Sequence, residues 1–116
     1  METGRSDDDL TDGPTRAEID ALPGPVVIEF GTSWCGHCRA ARPVVERAFA
    51  DFPQVTHLRI EDGRGRPAGR SFAVRLWPTL VFIRDGQEIA RVVRPTTLEP
   101  VTRALARITA TDRSDG

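Results

Sequence analysis

Val26-Val27-Ile28-Glu29-Phe30-Gly31-Thr32-Ser33-Trp34-Cys35-Gly36-His37-Cys38 is the stretch from which the rest of the chain can be read. Val26 to Phe30 is apolar but for Glu29, the pattern of a strand covered on both faces. The only two cysteines of the chain follow within eight residues of it. If Cys35 opens a helix, Cys38 lies one turn further in on the same face, near enough for the two sulfurs to bond. The partly positive helix N-terminus favours the Cys35 thiolate, the nucleophilic form that is scarce for a free thiol at neutral pH. Cys38, inside the first turn, is expected to be the better shielded thiol and to attack a mixed disulfide from behind. The spacing therefore predicts Cys35 as the attacking thiol and Cys38 as the resolving one.

A bare Cys-x-x-Cys also fits half of a zinc site or an inert structural pair. Only His37 and His57 remain as nitrogen ligands, and nothing in the spacing places them tetrahedrally, so no metal is expected. The surroundings of the pair are more specific. Glu29 stands six residues before Cys35, Trp34 abuts it, Pro43 follows Cys38 by five, and Trp77-Pro78-Thr79 opens a second apolar run. This arrangement resembles the thioredoxin superfamily, with Cys35-Gly36-His37-Cys38 in the form seen in protein disulfide isomerase domains. The resemblance covers roughly residues 25 to 109.

Several expectations come with that resemblance. Pro78 would follow a cis peptide bond and so present the Trp77 backbone for strand-like pairing with a substrate. Trp34, Gly36, His37, Trp77 and Pro78 would form the substrate-binding surface, although an isolated tryptophan is more often core. His57 falls where the family often carries a lysine close to a buried acid, so it either tunes Glu29 or is an ordinary half-exposed strand histidine. The neighbours of Glu29 argue for burial rather than for an exposed strand edge. A buried carboxyl has a raised pKa and can exchange a proton with Cys38 near neutral pH. Two departures stand out: no apolar run before Pro25 supplies the family's usual extra N-terminal strand, and Pro95 occupies the place after the last strand where a glycine is common.

Composition bounds the rest. A chain of 116 residues buries one core and little more. The net charge of -1 implies no polyanionic partner, and no apolar run is long enough to span a membrane. Sixteen arginines stand beside no lysine, asparagine or tyrosine, a bias that points to a GC-rich, bacterial genome. The cluster Arg64, Arg66, Arg70 and Arg75 has no interleaved aromatics and reads as a solvated face rather than a nucleic-acid surface. The first thirteen residues hold five acids and one arginine. Residues 1–14 are therefore expected to be a disordered acidic leader, 15–110 the domain, and 111–116 a flexible tail. That start lacks the basic and apolar parts of a signal peptide, which places the chain in the cytoplasm.

Local patterns supply the elements. Thr15 to Leu22 reads as a short helix closed by Pro23-Gly24-Pro25. Trp34 to about Asp51 has helical apolar spacing, and Val55 to Ile60 alternates as a strand with Val55, His57 and Arg59 on one face. A short helix is expected around Ala68 to Ala73. Thr79 to Ile83 and Glu88 to Val93 flank Asp85-Gly86, a hairpin signal. Thr96-x-x-Glu99 reads as a capping box before a helix with Leu98, Val101, Leu105 and Ile108 buried. The sum is an α/β chain in the compact thioredoxin fold: a four-stranded mixed sheet with helices on both faces.

The expected function is thiol-disulfide exchange through Cys35 and Cys38, with Glu29 assisting, as a cytoplasmic, thioredoxin-like reductant. It would need no bound cofactor. Its partners would be protein disulfides and a recycling reductant, with no nucleic acid and no membrane, and it would act as a monomer. His37 pulls the other way, since a histidine stabilises the Cys35 thiolate and makes the pair more oxidising than one with proline there. The competing reading is a redox-silent module that keeps the fold for protein contacts.

Overall fold

The computed structural model describes residues 14–32, 35–63 and 67–110. The expected leader before residue 14, the tail, Trp34, Arg64 and Arg66 lie outside the described residues. Eight elements follow in order: α1 (Arg16–Asp20), β1 (Pro25–Gly31), α2 (Gly36–Phe49), β2 (Thr56–Glu61), α3 (Pro67–Ser71), β3 (Thr79–Arg84), β4 (Gln87–Val93) and α4 (Leu98–Thr109). The strands form one mixed sheet in the order β2-β1-β3-β4. β1 runs parallel to β2 and antiparallel to β3, and β3 pairs antiparallel with β4. This is the expected α/β architecture, with β1 central because its near-continuous apolar run tolerates cover on both faces.

Alternation along β1 divides the core. Val27 joins Ala41, Val45 and Ala48 of α2 and Val101, Leu105 and Ile108 of α4. Val26, Ile28 and Phe30 point to the opposite face, against Ile19, Ala68 and Phe72. Fully burying such side chains stabilises the fold by about 1.5–3 kcal/mol each relative to leaving them exposed. Glu29 shares the face of Val27, so the sheet carries one carboxylate into the layer beneath α2.

Local chemistry sets the ends of these elements. Thr15 Oγ1 accepts the Glu18 N–H at 3.2 Å while Glu18 Oε1 accepts the Thr15 N–H at 2.8 Å, a complete capping box for α1. Asp85 and Gly86 have φ of 50° and 84°, positive at both central residues, as a two-residue hairpin turn requires.

Three expectations are corrected. α2 begins at Gly36 rather than Trp34, because Cys35 is its N-cap in an extended conformation. The capping box at Thr96 does not form: Thr97 is the N-cap of α4 and its side chain makes no cap hydrogen bond. With the cap one residue later, the third helical position is Pro100, which has no N–H to give, and Glu99 pairs with Arg103 instead. Lastly, the place after β4 compared with the family's glycine is one residue off: Arg94, at φ 50°, takes the conformation that favours glycine, and Pro95 is buried next to it.

Candidate active site

The end of β1, the start of α2 and the loop before β3 converge on the two cysteines, and both are free thiols. As N-cap, Cys35 uses its sulfur to accept the Cys38 N–H at 3.3 Å. Its thiol also lies 4.0 Å from the Trp77 carbonyl oxygen. Burial works against a charged Cys35. The Cys38 thiol, the N–H groups of Cys38 and His37, and the positive charge of Arg94 outweigh it and hold the pKa below the ordinary value. Burial of the Cys38 sulfur, together with Cys35 and the negative charge of Glu29, pushes that thiol up to about 12.

The expected shielding order is reversed for the residues as wholes: Cys35 is 6% exposed, whereas Cys38 is half-buried. What separates the two thiols is where each sulfur sits. A Cβ at Gly31 would stand 2.6 Å from Cys38 Sγ, so the sulfur occupies space that only a glycine at the end of β1 leaves open. The sequence reading missed Gly31, although a glycine closing an apolar strand is itself a sign of close approach.

Glu29 is 6% exposed, as its apolar neighbours suggested. The parallel register sets Glu29 opposite Arg59 and Val27 opposite His57. Glu29 Oε1 accepts from His57 Nε2 at 2.7 Å and from Arg59 Nε at 3.3 Å, and the imidazole stacks on Phe49 with ring centroids 4.2 Å apart. Burial alone would raise the carboxyl's pKa. The His57 hydrogen bond and the charges of His57 and Arg59 overcome it, so the pKa is lowered and not raised as the sequence suggested. Arg59 went unassigned, yet the alternation of Val55, His57 and Arg59 already put it on the face of His57.

The Trp77–Pro78 peptide bond is cis and Pro78 is buried. Trp77 is half-buried rather than exposed, because its indole N–H donates to Asp62 Oδ2 at 2.8 Å. Asp62 is itself tied to β1 by its N–H to the Gly31 carbonyl at 3.0 Å. Asp62, Gly63, Arg70, Val74, Arg75 and Trp77 line a cleft of about 240 Å³. Gly36 and His37 are exposed on the first turn of α2. Trp34 cannot be placed in this surface, being outside the described residues. Among the described residues no group of three or more His, Cys, Asp or Glu side chains is arranged to hold a metal ion, and no helix is long and apolar enough to cross a membrane.

A pair of free thiols held in such different settings is built to exchange disulfides, and relatives agree. The thioredoxin family model matches residues 10–107. Thioredoxin from Chlamydia trachomatis is 41% identical over 71 residues, covering 60% of this chain and 69% of that one. An H-type thioredoxin from Picea mariana is 32% identical over 88 residues, covering 74% and 70%. The structure of reduced thioredoxin 2 from Pseudomonas aeruginosa superposes with a TM-score of 0.77 at 50% identity, covering 94% of this chain and 97% of that one. The chain therefore belongs to the thioredoxin family and is a thiol-disulfide oxidoreductase.

Proposed function

We propose that the protein reduces protein disulfides in the cytoplasm of a bacterium, as a monomer, with Cys35 attacking and Cys38 resolving. The Cys35 thiolate forms a bond to one sulfur of the substrate disulfide, and the other sulfur leaves as a thiolate that takes up a proton. Cys38 then gives up its proton and attacks Cys35. The Cys35–Cys38 bond forms, the substrate sulfur that was bonded to Cys35 departs as a thiolate and takes up a proton, and the substrate is reduced by two electrons while the enzyme is oxidised by two. An external dithiol reductant returns the pair to the starting state. Gly36, His37, Trp34 and the Trp77–Pro78 backbone form the docking surface in this reading.

Glu29 enters in its ionised form. It accepts the Cys38 proton with His57, whose half-exposed ring passes it to solvent. A lone reactive dithiol suits a compartment that keeps thiols reduced. The observation that carries the reading is the opposite treatment of the two sulfurs: Cys35 caps the helix and receives the Cys38 N–H, while Cys38 is seated against Gly31. Trapping tests it. Cys38→Ser should accumulate mixed disulfides with proteins in cell extract that dithiothreitol releases. Trapping by Cys35→Ser but not by Cys38→Ser would reverse the roles, and trapping by neither would leave only a fold used for protein contacts.

A further inference from the structure

Arg94 stands in the left-handed region at φ 50°, a conformation that glycine adopts freely and a residue with a Cβ does not. That backbone turn brings its side chain into the site. The Arg94 N–H donates to the Pro78 carbonyl at 2.9 Å, and Nε donates to the Trp77 carbonyl at 2.8 Å. The same Trp77 oxygen faces the Cys35 thiol at 4.0 Å, so the nucleophile and the guanidinium meet at one carbonyl. Arginine stays charged at every pH at which a protein folds. Nε is the only side-chain atom of Arg94 that donates a hydrogen bond among the described residues, and no carboxylate among them pairs with the guanidinium. The two Nη groups, with four N–H donors in a planar fork, hydrogen-bond to no described residue.

We propose that Arg94 is an anion subsite of the substrate surface: its unused guanidinium edge binds a carboxylate carried next to the disulfide that Cys35 attacks. The preferred substrates are then disulfides flanked by Asp or Glu. An acidic flank would ordinarily repel both the incoming Cys35 thiolate and the departing one. Arg94 turns that repulsion into attraction through a charge-assisted, bidentate contact. The exchange chemistry is unchanged, and the subsite rests on the reading of Cys35 as nucleophile.

The test uses two peptide disulfides that differ only in Glu or Gln beside the attacked cysteine, with kcat/KM measured for the parent, Arg94→Gly and Arg94→Gln. Glycine relieves the left-handed strain, whereas glutamine keeps the Cβ and removes the charge. The parent should favour the Glu peptide by about tenfold at low ionic strength, and the preference should shrink as salt is added. Both variants should bring it to within about twofold of unity. A parent without preference, or an equal preference in all three proteins, overturns the subsite. So does a fall by one common factor for both peptides, which would mean that Arg94 acts on Cys35 alone. Absence of exchange with either peptide in the parent would instead defeat the function on which the subsite rests, and the subsite with it.

Discussion

A glycine packs against a neighbour at each end of β1, Gly86 of the adjoining hairpin at its start and Gly31 at its finish, yet the polar groups around the two are settled in opposite ways. At the start of the strand, the Gly24 N–H donates to Asp85 Oδ1 at 2.8 Å and the Asp85 N–H returns to the Gly24 carbonyl at 3.1 Å. The left-handed residues there are Gly24, Asp85, a type that tolerates the conformation, and Gly86, whose missing Cβ makes room for the Asp20 carbonyl. Local preference and tertiary contact agree throughout. At the other end Gly31 admits a sulfur, the left-handed residue is an arginine, and Thr32 Oγ1 is buried without a partner among the described residues. Of the two ends of β1, the one that carries the chemistry holds the locally unfavourable choices.

The largest expected contrast is in reactivity. Cys35→Ser should abolish exchange while leaving the melting temperature nearly unchanged. In alkylation at pH 7, Cys35 in the Cys38→Ser variant should react at least about a hundredfold faster than Cys38 in the Cys35→Ser variant. Its thiolate is favoured, and that of Cys38 is held back by a pKa pushed up to about 12. Equal rates would erase the distinction between the two sulfurs.

Alanine at the two glycines sharpens the comparison. Gly86→Ala combines a positive φ with a collision against Asp20 and should lower stability by about 2–4 kcal/mol in urea unfolding, without altering the exchange rate of the folded fraction. Gly31→Ala should instead slow release of the mixed disulfide in stopped-flow experiments, because the methyl displaces Cys38 Sγ. The comparison breaks if Gly31→Ala leaves that step untouched.

Glu29→Gln should cost about 1–3 kcal/mol at neutral pH, from the loss of charged hydrogen bonds to His57 and Arg59. The effect has a definite pH sign. The folded chain holds Glu29 below its ordinary value, so it binds that proton more weakly than the unfolded chain does. The stabilisation is complete above the unfolded pKa of about 4.3 and disappears as the pH falls through the lower folded value. The variant's unfolding free energy should therefore fall less on acidification than the parent's; parallel acid limbs would contradict an ionised Glu29.

The smallest effect has the less common sign. Arg94→Gly should stabilise the protein by about 1 kcal/mol, since glycine relieves the φ of 50° at that position. Thermal melts decide it. A destabilised variant would show that the contacts of Arg94 to Trp77 and Pro78 outweigh the strain, and would place this loop with the hairpin end.

Local signals predicted a good part of this. The apolar run of β1, the helical spacing after Cys38, Asp85-Gly86 and the short helix before Pro23 all act within a few residues, and all appear as expected. Thr96-x-x-Glu99 shows the weakness of such signals: a one-residue shift in the cap put Pro100 where an N–H was needed, and nothing local reveals the shift. Pro95 was singled out after the last strand, one residue beyond the position that turns left-handed.

By itself, then, the sequence determined the order of strands and helices, the dithiol and its place at a helix start, because backbone preference and 2.0- or 3.6-residue periodicity are properties of neighbouring residues. Tertiary structure alone decided the ionisation of Glu29, the seat of Cys38 against Gly31 and the approach of Arg94 to Cys35. Those depend on charges and atoms from segments far apart in the chain, and in a buried site the partner that arrives sets the balance between desolvation and pairing.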